Sequence, residues 1–125
     1  MKGKFLLAGV IVGSFVLYLT GCGKENAEQS GGGAGCDTTN VSYSRQILPI
    51  VEQNCYVCHQ GPGASSGIDF SNYSALQGWA QSGYLVGDVK QAGDPYTPMP
   101  YGLPMLPECE VNTIVAWVHQ GYPNN

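Results

Sequence analysis

Asn54-Cys55-Tyr56-Val57-Cys58-His59 is the stretch on which the reading of this chain turns. Two cysteines three positions apart, with a histidine directly after the second, form the attachment signature of a c-type haem. Thiols at this spacing share one turn of backbone and reach both vinyl groups on one edge of a porphyrin, where they add to form thioethers. The histidine that follows falls beneath the ring and supplies an imidazole nitrogen as the proximal axial ligand. The pattern therefore predicts one covalent haem c, with Cys55 and Cys58 as its thioether attachments and His59 on iron. Two other chemistries use paired cysteines. A thioredoxin-like thiol pair wants alternating strands and helices around it, which the chain lacks. A zinc site wants a second ligand pair, and His119 stands alone in the last helical turn.

A chain of 125 residues holds at most one domain. Its first residues read as an export signal: Lys2 and Lys4 give a positive start, and Phe5 to Leu19 is an apolar run too short and poorly flanked for a membrane span. The run ends in Leu19-Thr20-Gly21-Cys22, which resembles the lipobox of bacterial lipoproteins. That resemblance implies that residues 1–21 are a lipoprotein signal peptide, that cleavage falls before Cys22, and that Cys22 carries lipid. The alternative is an uncleaved N-terminal anchor helix. Both readings export the protein and tie it to a membrane, and several acyl chains make such a tie stable where one does not. Gly23 stands where many inner-membrane lipoproteins carry aspartate, which favours the outer membrane. Haem c is attached outside the cytoplasm in bacteria, so export and cofactor agree.

The chain has five cysteines. With Cys22 lipidated and Cys55 and Cys58 on haem, Cys36 and Cys109 remain as an even pair in an oxidising compartment, and a disulfide between them is predicted. The loop-entropy model gives such a closure about 4 kcal/mol. The alternative is two separate buried thiols. Removal of Lys2 and Lys4 leaves Lys24, Arg45 and Lys90 against nine Asp and Glu. Nucleic acid is excluded as a partner by the lack of a basic stripe. A redox protein with a basic docking face is the complement such a surface calls for.

Residues 22–40 form a tether dominated by Gly, Ser, Asn and acidic residues, a flexible coil with a reach on the order of 20 Å. Residues 41–125 form the haem domain. Val41 to Asn54 holds a first helix with Ile47, Ile50 and Val51 on one face, Ser44 as N-cap and Pro49 limiting its regularity. Asn72 to Gln81 reads as a second helix capped by Ser71 or Asn72. Ser82 to Lys90 stays open between a turn and a short helix. Asp94 to Pro104 holds four prolines and excludes regular structure. Val111, Ile114, Val115 and Val118 fall at i, i+3, i+4 and i+7, one face of a terminal helix with Pro107 at its first position and Gly121 and Pro123 at its end.

A helix entering Cys-x-x-Cys-His, a proline-rich loop with a Met-Pro step and a terminal amphipathic helix together resemble a small class I cytochrome c, over Tyr43 to Tyr122. The likeness is closer still to lipid-anchored single-haem cytochromes whose ends carry an extra cysteine pair. The resemblance implies an all-α fold of three to four short helices wrapped around one haem. It also implies a methionine as sixth ligand: Met99, in Pro98-Met99-Pro100, with Met105 as second choice. Prolines on both sides stiffen Met99 and reduce the entropy lost when it is held, whereas Met105 adjoins a helix start, where an apolar residue usually fills the core. In the family, an aromatic residue of the last helix packs near the first helix, and Trp117 matches it. Trp79, Tyr43, Tyr96 and Tyr101 are candidate aromatic neighbours of the haem, and Arg45 a candidate propionate contact.

These readings make the protein an electron carrier rather than an enzyme, its two axial positions filled by histidine and methionine. The alternative is a haem-based peroxidase or diatomic-gas-binding module, which needs an open sixth position with polar residues above the iron.

Overall fold

Pro49 shapes the first helix. It has no N–H to donate, and in a regular α turn its ring would press on the carbonyl of Arg45. In the computed structural model, which describes residues 36–125, the chain meets this by opening as a π-helical turn, Tyr43–Ile47. Here Ile47 N–H donates to Ser42 O at 3.3 Å and Leu48 N–H to Tyr43 O. Regular α1 follows at Leu48–Asn54. Ser44 does not cap this helix. Ser42 takes the cap position without a side-chain bond, and the first donors are met from the other end of the chain. Asn125 Oδ1 accepts from Tyr43 N–H at 2.9 Å, and the Asn125 carbonyl from Ser44 N–H at 2.9 Å. The predicted signal peptide, the predicted lipid site at Cys22 and the part of the predicted tether before Cys36 lie outside the described residues.

α2 spans Tyr73–Gln81, capped by Asn72, whose side chain accepts from Ala75 N–H at 2.9 Å. A left-handed Gly83 (φ 82°) turns the chain into α3, Tyr84–Val89. The segment left open by the sequence is thus a short helix. α4 runs over Glu108–His119, with Pro107 one place earlier than expected, at the cap. Gly121 N–H bonds to Val118 O at 3.1 Å and Tyr122 N–H to Trp117 O at 2.9 Å. With Gly121 left-handed (φ 81°), this is a Schellman ending of the kind that Gly and a following Pro announce. Residues 90–107 carry no helix, and no strand occurs among the described residues. The fold is all-α.

α4 packs against the π turn and α3, and α3 against α2. Ile47, Val51, Leu76, Ile114 and Trp117 are fully buried between them. Trp117 Nε1–H reaches Pro123 O at 3.0 Å, and its ring lies between Tyr43, Tyr73 and Tyr122. Cys36 and Cys109 are joined by a disulfide, Cα atoms 5.6 Å apart, closing a separation of 73 residues. No helix among the described residues is long and apolar enough to cross a membrane.

Candidate functional site

The Cys-x-x-Cys-His segment continues the helical direction of α1. Cys55 N–H bonds to Val51 O at 2.8 Å, Cys58 N–H to Cys55 O at 3.1 Å and His59 N–H to Cys55 O at 2.8 Å. Cys55 is half-buried and Cys58 exposed, and both are free thiols. Burial, and secondarily the charge of Glu110, push the Cys55 thiol up to about 11. A redox-active thiol needs the opposite shift, so the environment argues against the thiol-pair reading.

His59 is 8 % exposed. Its Nδ1 lies 3.1 Å from Ile68 O. A carbonyl only accepts, so this contact fixes the proton on Nδ1 and leaves the Nε2 lone pair available. Ligand histidines are held in the same way, their second ring nitrogen donating to a backbone carbonyl. Nε2 itself has no hydrogen-bond partner among the described residues. None of the buried side-chain nitrogens or oxygens there lacks one, so Nε2 faces open space. Phe70 closes the other side of the imidazole, with its N–H on His59 O at 2.9 Å and its ring centroid 5.2 Å away. The short Ile68-Asp69-Phe70 insertion thus orients the histidine.

The open space is a cleft that reaches solvent. His59 and Cys55 line it from one side and Met99 from the proline-rich segment. Trp79, Leu85 and Val89 bring α2 and α3 to it, and Leu106 the approach to α4. The lining is mostly apolar, as it is in small-ligand sites. Met105 is 49 % exposed and does not line the cleft. Neither does Cys58, although it is one helical turn from Cys55. Of the four candidate aromatic neighbours, only Trp79 lines it. Tyr43 belongs to the Trp117 cluster, Tyr96 stacks edge-on with Tyr84, and Tyr101 is exposed. Arg45 and His119 are exposed and away from the cleft.

The residues present fit a haem. An imidazole with an unbonded Nε2, a thioether from a second segment, a cysteine in the same lining and an apolar wall are donors and surroundings that suit a porphyrin iron. Among the described residues no three His, Cys, Asp or Glu side chains gather into a set that could hold a bare ion.

Several residues lining the cleft were not expected from the sequence, among them one acid. Asp88 is 5 % exposed and lines it from α3. Its Oδ2 accepts from Trp79 Nε1–H at 3.0 Å and its Oδ1 from Thr97 N–H at 2.9 Å. The available signal was an acid inside the apolar run Leu85-Val86-Gly87-Asp88-Val89, a position where only a bonded carboxylate is tolerated.

Comparison with family models, curated proteins and solved structures gives no match.

Proposed function

We propose that this protein is a c-type cytochrome, lipid-anchored outside the cytoplasm, that carries single electrons between redox proteins. The observation that supports this most is the meeting of His59 and Met99, from segments far apart in sequence, across one apolar cleft beside Cys55. Cys55 and Cys58 would hold a haem c through thioethers, with His59 and Met99 as donors to its iron. When bound, the haem supplies a reversible one-electron couple, whose potential a thioether donor and an apolar surround raise.

The chain's own residues do the positioning. Ile68 O selects the tautomer of His59, Phe70 limits the rotation of its ring, and side chains of α2 and α3 give the cleft an apolar wall. Asp88, the charged side chain in the lining, has both oxygens engaged by Trp79 and Thr97. With His59 and Cys55 given to the haem and Asp88 engaged, no other acid–base side chain among the described residues lines the cleft, which favours a carrier over a peroxidase. A net charge of -4 suits a partner with a basic docking face. Cys22 would bear the lipid, with the outer membrane favoured and the haem domain in the periplasm or at the cell surface.

The test is the absorption spectrum of protein exported with a working haem-attachment system. A pyridine haemochrome of c type is expected, together with a far-red sulfur-to-iron band in the ferric state. The pair Cys55→Ala and Cys58→Ala should lose haem on a denaturing gel. Met99→His should keep six-coordination and lower the potential, while Met105→His should leave both unchanged. Colourless wild-type protein would overturn the proposal. A high-spin ferric spectrum with rapid carbon monoxide binding would replace the carrier by a gas-binding or peroxidase module.

A further inference from the structure

Met99 lies in a segment with no helix to hold it, yet its surroundings converge on a single residue. Thr97 N–H donates to the Asp88 carboxylate at 2.9 Å, and Met99 N–H donates to the Asp88 main-chain carbonyl at 3.0 Å. Side chain and backbone of one residue thereby grip Thr97-Pro98-Met99 at both ends. The second carboxylate oxygen is anchored on α2 through the Trp79 indole at 3.0 Å. Gln91 Nε2 adds a longer bond to Met99 O at 3.4 Å. One residue before Asp88, Gly87 lets the Tyr96 ring lie directly on α3: a Cβ there would stand 2.1 Å from Tyr96 Cδ1.

We propose that Asp88 is the positioning residue for the sulfur ligand, clamping the Met99 segment against α3 so that its thioether stays in the cleft. A leucine or valine would fill the same space at lower desolvation cost. What an apolar residue could not do is bond an irregular strand of backbone and an indole at once. The role toward iron rests on the haem reading above, whereas the clamp itself does not.

The haem-loaded protein provides the test, through Asp88→Ala and the near-isosteric Asp88→Asn. Asparagine can still accept from Thr97 but presents N–H₂ where Trp79 needs an acceptor. Asp88→Ala should keep covalent haem and the helical circular dichroism signal, yet lose or weaken the far-red band. Added imidazole should displace Met99 at a concentration roughly tenfold lower, the effect of one charge-assisted hydrogen bond. Asp88→Asn should fall between wild type and Asp88→Ala, and it decides the matter if the alanine variant does not fold. Trp79→Phe, which spares the Thr97 bond, should move imidazole affinity less than either. Hydrogen exchange at the Thr97 and Met99 amides should accelerate in Asp88→Ala, while His59 N–H stays protected. An unchanged band, imidazole affinity and amide protection in Asp88→Ala or Asp88→Asn would overturn the clamp. Colourless wild-type protein would instead sink the haem reading, and the two amides would still decide for or against the clamp.

Discussion

The two sides of the cleft are built by different means. On the His59 side, the backbone leaves α1 along a continuing helical ladder, and behind it stand the fully buried Ile47, Val51 and Trp117. On the Met99 side, residues 90–107 have no helix, and Met99 is held by hydrogen bonds to Asp88 and by a tyrosine seated on a glycine. One side chain is placed by local propensity and a core, the other by a few polar ties. The first should therefore yield only when the whole fold yields, and the second should loosen alone.

Four changes test that division, from the largest expected effect to the smallest. Trp117→Ala removes a side chain with no exposure and the bond to Pro123, and should cost about 3–5 kcal/mol. A thermal melt should show both sides lost in one transition; loss of the His59 side while the Met99 side survives would break the comparison. Replacing Cys36 and Cys109 together by serine should lower stability by about 4 kcal/mol in the loop-entropy model. An unchanged denaturant midpoint would show that the bond carries nothing. Gly87→Ala should cost about 1–3 kcal/mol because the new methyl meets the Tyr96 ring. Its signature is local, with faster exchange at Thr97 and Met99 and none at His59. Equal acceleration on both sides would erase the distinction.

The smallest effect concerns Glu110, whose carboxyl burial holds above its ordinary 4.5 against an opposing hydrogen bond from Asn54. A carboxyl that binds its proton more tightly when folded makes stability fall as pH rises from the unfolded value through the folded one. Glu110→Gln should flatten that slight decline above pH 4.5, seen in denaturant midpoints across the acid range. An undiminished slope would assign it to other groups.

What could be read in advance follows the same line. The stripe Val111, Ile114, Val115 and Val118 located α4, because a helix face repeats within one segment. The stripe did not include Trp117, the most deeply buried side chain of that helix, which the family resemblance supplied. The Cys-x-x-Cys-His turn needed only five consecutive residues. Met99 could be preferred to Met105 from its flanking prolines, and the cleft holds the former and not the latter. α3 was illegible for a physical reason: six residues are below the length at which periodicity separates helix from turn, and packing on α2 and α4 holds it. Asp88 depends on partners nine positions away on either side, Trp79 and Thr97, which no local pattern connects. The cap supplied by Asn125 is more distant still.

The covalent link between Cys36 and Cys109 also sets a mechanical route through the molecule. Tension applied to the chain ahead of Cys36 passes through sulfur straight into the start of α4. It bypasses the π turn, α1 and the Cys-x-x-Cys-His segment, which would otherwise be the first to peel away. A pull applied at that point reaches the core of the domain without drawing on the histidine.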